Sequence, residues 1–327
     1  MGAEPKLPPG TGVLEVFKAL DAEGRRRALA MLPEIEREAF DREWRAWAHD
    51  GQFVPVEPEG EDWSTWVIKG GRGFGKTRAG AQWIESLIAA HPDVPLRIAL
   101  VGATIDDARR VMVEGPSGLL RVADRWVEDW HRTLGRLRFI TGAEAQLFSG
   151  ACPHLLRGPA HHFAWCDELA KWEYAQETWD MLQFGLREGA RPRALVTTTP
   201  REGPVLAAIM AEPDTRISGG PTRANPHLPR AFRERVYRLY EGTRLGRQEL
   251  EGEVLPAAGA LWTVELIERC RAERPPGGLE KIAIGVDPPT GDGTCGIVAC
   301  AREGSGADAV VHVLADHSVT RRTAPTR

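Results

Sequence analysis

The 327-residue chain lacks any apolar run near the roughly 18 residues that a membrane-spanning helix needs. It opens without a basic end followed by an apolar core, so no secretion leader is expected. Cysteine is scarce: five, at irregular spacings, which argues against a disulfide framework and for a reducing compartment. Neither sign of charge dominates. With 42 Lys and Arg against 46 Asp and Glu, the net charge of −4 argues against wholesale coating of nucleic acid but permits a local basic channel. There is no internal repeat and no long low-complexity tract. The composition that remains, 42% hydrophobic and 27% charged, is that of a globular chain, long enough for one large domain with appendages or for two domains.

One metal pattern is tempting. Cys295 and Cys300, followed by His312 and His317, come close to a zinc-finger spacing. Both "TCGIVACA" and "VVHVLADH" read as strands, however, and residues five apart on a strand point to opposite faces. The strand reading is the stronger.

The apolar periodicity divides the chain. Residues 1–60 are expected to form a helical segment and connector, with helices over Leu14–Met31 and, after Pro33, over Glu34–Ala48. Packing is the default role for these helices, with a lid or a docking arm as alternatives. From Trp63 strands alternate with helices: "WVIK", then a helix from Lys76; "LRIALVGA", then "IDDARRVMVEG"; "HHFAWCDE", then a helix through Trp179 and Met181; "PRALVTTTP", then "GPVLAAIMAE". "LRFI" and "AQLFSG" suggest a hairpin-like insertion, and "AFRERVYRLYEGTRLGRQELEGE" a helical stretch. Such alternation predicts an α/β fold with a mostly parallel sheet over residues 61–255. A linker over 256–280 precedes three antiparallel strands over 281–327.

Residues Gly70-Gly71-Arg72-Gly73-Phe74-Gly75-Lys76-Thr77 satisfy GxxxxGK[ST] in full, between a strand and a helix. The glycines turn backbone N–H groups toward phosphate oxygens, and the helix presents its N-terminus to the same anion. The pattern predicts the nucleotide-binding loop of a P-loop NTPase, the alternative being a glycine-rich turn that matches by accident. Lys76 would reach the β- and γ-phosphates, and the Thr77 hydroxyl would hold Mg²⁺. A second strand, Phe163 to Cys166, ends in Asp167, a magnesium ligand through water, and Glu168, which can polarise the attacking water. A small-molecule kinase would need no such second acid. A third strand ends in Thr197, Thr198 and Thr199 before Pro200, where hydroxyls could sense the γ-phosphate; threonine is also common in strands for other reasons.

These three elements, in this order, resemble the large terminase subunit of tailed phages and gene transfer agents, the ATP-driven motor that packages double-stranded DNA into a capsid. The resemblance rests on residues 66–77, 163–168 and 194–200, and extends from about residue 14 to about residue 319. Asp62-Trp63, Trp66 and "LLRGPAHHFAWCDE" look closest to the gene-transfer-agent branch. It implies catalytic roles for Lys76, Glu168 and Arg72, the last organising phosphates or acting as a finger in cis; a solvent-facing arginine is the competing reading. It implies metal ligation by Thr77 and Asp167, and coupling of hydrolysis to movement by Thr197–Thr199. Implied partners are double-stranded DNA, the capsid portal and a small terminase subunit, in a homo-oligomeric ring, in the bacterial cytoplasm and with no membrane. Arg109-Arg110, Arg132–Arg138 and Arg230–Arg247 are candidate contacts to DNA backbone, each equally readable as a solvated face.

The family's second domain is a nuclease with a ribonuclease-H-like fold. Asp287 in "IAIGVDPP" matches its first metal-binding acid, for Mg²⁺ or Mn²⁺. Two-metal cleavage needs several carboxylates around ions roughly 4 Å apart. Neither Asp292 nor Asp316 matches a later position of the family. The expectation is a truncated, inactive nuclease beside an intact ATPase. A different P-loop DNA-remodelling ATPase and a non-functional relic are the alternatives.

Overall fold

The computed structural model describes residues 16–18, 20, 22–55, 63–201, 203–255, 266, 269–271, 279–288, 294–306 and 309–320. The chain divides into two compact units, Met1–Ala257 and Ala258–Arg327.

An eight-stranded sheet forms the first unit. Its strands are β1 (Thr65–Gly70), β2 (Arg97–Gly102), β3 (Val127–His131), β4 (Arg136–Phe139), β5 (Glu144–Ser149), β6 (Phe163–Asp167), β7 (Arg193–Thr198) and β8 (Thr215–Gly220). Their spatial order is β3-β4-β5-β2-β6-β7-β1-β8. From β5 to β8 all neighbours are parallel, while β3/β4 and β4/β5 are antiparallel. Parallel strands covered on both faces are apolar throughout rather than alternating. Accordingly, every residue of β6 is buried.

Besides the short turns at Ile105–Asp107 and Leu119–Val122, the α-helices named among the described residues are α1 (Ala22–Ala30), α2 (Glu34–Arg42), α3 (Trp44–Trp47), α4 (Lys76–Ala90), α5 (Ala175–Gly185), α6 (Pro204–Ala211), α7 (Arg230–Tyr240) and α8 (Arg244–Glu249). The pleat sends Trp66 and Ile68 of β1 into a core shared with Trp83, Ile84 and Ile88 of α4. Val67 goes to the opposite core, with Val196, Leu182 of α5 and Ile209 of α6. The strands that carry the site are thus clamped between two apolar layers.

The structure departs from the expected elements where local chemistry overrides periodicity. The expected helix over Glu34–Ala48 breaks at Glu43, which is extended (φ −72°, ψ 93°) and caps the next turn by accepting from Arg45 N at 3.1 Å. The break folds Trp47 back, so that its indole donates to Phe40 O at 3.1 Å. Of the expected Leu14–Met31 helix the described residues give Ala22–Ala30 as a continuous element, and its start falls outside them. After Ile105–Asp107 the helix becomes a π turn over Ala108–Val113, closed by Glu114 N donating to Arg109 O at 2.8 Å. The stretch around residue 242 splits into α7 and α8 at Gly242, whose φ of +76° no helix accommodates. The β4/β5 pair is antiparallel as expected, but β5 also joins the main sheet beside β2. Strands β3 and β8 were not expected at all.

The second unit contains β9 (Leu279–Asp287), β10 (Thr294–Glu303), β11 (Val310–Asp316) and the two-residue β12 (Val319–Thr320). Strand β10 lies between β9 and β11, antiparallel to both, as the sequence predicts. The linker expected at 256–280 lies mostly outside the described residues.

Candidate functional site

The loop between β1 and α4 is shaped from outside. Gly73 and Gly75 have φ of +79° and +98°, conformations that side chains disfavour. Its carbonyls are tied to the surrounding body: Asn225 Nδ2 donates to Gly73 O (2.7 Å), Gln52 Nε2 to Gly75 O (3.0 Å) and Thr222 Oγ1 to Arg72 O (2.7 Å). His49 Nε2 lies 2.8 Å from Phe74 O, and the two rings meet edge-on at 4.7 Å. The N–H groups of Gly71, Arg72 and Phe74 are taken by Gly220 O, Glu249 O and Gly71 O, so the inward-facing donors of the loop would come from Gly73 and Gly75, joined by the first turn of α4, whose N–H groups lack intrahelical partners. The loop has the shape of a cradle, held by its rim.

Lys76, at the start of α4, is buried and donates to Gly70 O (2.8 Å), Gly71 O (3.2 Å) and Thr199 Oγ1 (3.0 Å). Burial pushes its ammonium below the usual lysine range, while Glu168 and Asp167 push it back up. The three motifs meet because their strands are adjacent. Strand β7 lies between β1 and β6, with Lys69 opposite Thr198 and Asp167 opposite Thr197. Their C-terminal ends form one edge, the position where open α/β sheets bind ligands.

Asp167 is buried, and its Oδ1 accepts from Thr197 Oγ1 at 2.6 Å. Burial, reinforced by the charge of Glu168, lifts its carboxyl to about 6 in spite of that hydrogen bond. Glu168 is the one non-glycine residue with positive φ (51°) among the described residues. Its N–H donates to Thr197 O at 2.6 Å, fixing this strained turn. Its carboxylate accepts from Thr199 N and Thr199 Oγ1, both at 3.3 Å, and pairs with Lys171 Nζ at 3.3 Å. A continuous chain therefore runs Lys76–Thr199–Glu168–Lys171.

The threonines divide their work. Thr197 serves Asp167, Thr199 connects Lys76 to Glu168, and Thr198 Oγ1 accepts from Ala170 N at 3.4 Å. Thr77 stands in the first turn of α4, next to Lys76. Arg72 is placed otherwise: its side chain is 74% exposed and its Nε lies 3.4 Å from Glu249 Oε2 of α8, so the loop arginine is not gathered into the Lys76–Glu168 chain. The basic clusters are threaded with acids. Arg109 and Arg110 pair with Asp106, Arg132 with Glu114, Arg136 with Glu144, Arg230 with Glu234 and Arg247 with Glu253. Asp287 ends β9 at an exposed position opposite Gly296. Among the described residues no group of three or more His, Cys, Asp or Glu could hold a metal ion.

Beside the cradle, a cavity of about 670 Å³ opens between α4 and the N-terminal segment, lined by Trp44, Phe53, Trp66 and Trp83 with Gln52 and Gln82. No sequence motif marks Gln52, His49, Thr222, Asn225 or Lys171. Only Lys171 lies near a motif, three residues past Glu168.

A P-loop followed by an acid-ended and a threonine-ended strand defines an ATPase-type core, and comparison with known proteins agrees. The family model described as terminase large subunit, T4likevirus-type, N-terminal, matches residues 67–269. The chain belongs to this large terminase family. No curated protein matches its sequence. Among solved structures, the large terminase of a thermophilic bacteriophage is 18% identical with a TM-score of 0.50, covering 84% of this chain and 69% of that one. The same phage's large terminase in complex with ADP gives 18% identity and a TM-score of 0.50, covering 79% of this chain and 63% of that one. The likeness is one of fold, and this chain spans about two thirds of the length of those relatives.

Proposed function

We propose that the chain is an ATP-hydrolysing motor that packages double-stranded DNA into a phage or gene-transfer-agent capsid. The observation that carries this reading is the hydrogen-bonded chain from Lys76 through Thr199 to Glu168 at the mouth of the phosphate loop. The membership of residues 67–269 in the large terminase family supplies the DNA-packaging context.

In this reading the triphosphate lies in the cradle and Lys76 exchanges the carbonyls of Gly70 and Gly71 for β- and γ-phosphate oxygens. Losing Lys76 releases the Thr199 hydroxyl toward the γ-phosphate. Glu168, already held by the Thr199 N–H and by Lys171, accepts a hydrogen bond from the attacking water and orients it in line. The aromatic cavity beside Gln52 would take the base. Arg72 would leave Glu249 to reach phosphate oxygens, an exchange open to it because its own side chain is exposed and the contact is long, at 3.4 Å.

The donors also fit Mg²⁺. Asp167 is a buried carboxylate with an acidic neighbour, an under-compensated pair of oxygens that a hard cation relieves, and Thr77 adds a hydroxyl. Asp167 and Thr77 would hold the ion, which when bound neutralises charge between the β- and γ-phosphates. The capsid portal, a small terminase subunit and further copies in a ring are the partners proposed, with DNA backbone phosphates as the track.

Steady-state hydrolysis with and without linear duplex DNA tests the reading. We expect DNA-stimulated turnover that Lys76→Ala abolishes. Glu168→Gln is expected to lower turnover by about 10²- to 10⁴-fold while ATP still binds. Wild-type turnover in Glu168→Gln would remove the water-orienting role, and absence of ATP binding to the native chain would overturn the whole reading.

A further inference from the structure

Two indole rings converge on Asp167. Trp165 Nε1 donates to Thr197 Oγ1 at 2.8 Å, and the same hydroxyl donates to Asp167 Oδ1 at 2.6 Å. Trp172 Nε1 donates to the Asp167 backbone carbonyl at 3.0 Å. Trp165, Thr197 and Trp172 are all buried. Each ring is seated on a glycine. A Cβ on Gly80 of α4 would stand 2.2 Å from the Trp165 ring, and one on Gly150, just past β5, 2.5 Å from the Trp172 ring. The phosphate-loop helix and the acid-ended strand are thereby interlocked through Trp165.

The direction of the relay follows from donor inventory. An indole N–H can only donate, so Thr197 Oγ1 must accept from it. The single hydroxyl proton is then left for another acceptor. Asp167 Oδ1 at 2.6 Å is much the nearer; the alternative, Cys166 O, is at 3.4 Å. Without the indole donor the hydroxyl could rotate away or accept from a protonated Asp167.

We propose that Trp165 is a positioning residue for the metal-binding acid: acting through the Thr197 hydroxyl, it holds the Asp167 carboxylate in the one orientation that takes Mg²⁺ with the nucleotide. The assignment rests on the Mg²⁺–ATP reading above. It gives Thr197 a role distinct from that of Thr199, and makes the packing of α4 against β6 part of the metal site.

The test measures binding of ADP to the whole chain by calorimetry, once with Mg²⁺ and once with EDTA. The ratio of the two dissociation constants isolates the metal's contribution. Trp165→Phe and Thr197→Val are each expected to lower that ratio about tenfold, the usual cost of losing an outer partner of a metal ligand. Affinity in EDTA should stay unchanged, Thr197→Ser should restore the ratio, and the double variant should be no worse than either single one. Thr197→Val preserves side-chain volume, so it decides the matter even where Trp165→Phe loosens the core. The proposal falls if Thr197→Val keeps the wild-type ratio, or if the variants weaken binding equally with and without metal. A wild-type chain whose ADP affinity ignores Mg²⁺ would instead overturn the metal reading on which the proposal rests.

Discussion

Two aspartates end apolar strands in this chain, and their surroundings are opposite. Asp167 closes "FAWCD", a central strand between β2 and β7, every residue of which is buried. Asp287 closes "LEKIAIGVD", whose Ile282, Ile284 and Val286 are 68%, 67% and 59% exposed. Around Asp167 the neighbouring strand supplies Thr197, the following turn supplies Trp172, and the phosphate loop supplies Lys76. Beside Asp287 the register places Gly296, which has no side chain to offer. An apolar run ending in an acid marks where a site can form. Burial on both faces, and donors from adjacent strands, turn the acid into chemistry.

The largest expected effect separates the two ends by activity. Glu168→Gln, beside Asp167, should remove about 10²- to 10⁴-fold of ATP turnover, whereas Asp287→Asn should leave it unchanged. Comparable losses in both, in steady-state ATP assays of the same preparation, would break the comparison. Stability gives the next contrast. Ile68→Ala empties a fully buried site in β1 and should cost about 2–5 kcal/mol, while Ile284→Ala at an exposed site should stay within about 0.5 kcal/mol. Urea titrations read both. A substantial loss from Ile284→Ala would show that the exposed face of β9 is covered in solution.

How much of this was legible beforehand depended on the range of the contacts. The loop at 70–77, the acid at the end of β6 and the threonines at the end of β7 are patterns of a few consecutive residues, and the structure brings Lys76, Thr199, Glu168 and Asp167 together as their strand-end positions imply. The rim of the cradle was not legible. Asn225 and Thr222 reach Gly73 and Arg72 across 152 and 150 residues of sequence, and neither residue type announces such a partner. Strands β3 and β8 lack a strand pattern in the sequence for a related reason. They are the two edges of the sheet, and "VEDWH" and "TRISGG" carry the charges and glycines that edges tolerate and central strands do not. The exposed placement of Arg72 against Glu249 likewise depends on α8, far along the chain.

The buried acid also sets a pH dependence of its own. A carboxyl raised from 3.8 to about 6 binds its proton more tightly in the folded chain than in the unfolded one. Folding is therefore penalised as pH rises from about 4 to about 6, and the full penalty, on the order of 3 kcal/mol, persists above that range. Asp167→Asn keeps an oxygen to accept from Thr197 while removing the charge. Without nucleotide it should raise the melting temperature at pH 8 and do nothing at pH 4. Adding Mg²⁺ and nucleotide should reverse the order, because ligand binding stabilises only a chain that can hold the ion. If Asp167 holds Mg²⁺ as proposed, nucleotide affinity measured with the metal should weaken below about pH 6, by about tenfold per pH unit, as Asp167 takes up its proton. A melting temperature in Asp167→Asn that is lower than wild type at pH 8 without ligand would show that Lys76 and Thr197 already compensate the buried charge, and that the two aspartates differ in geometry alone.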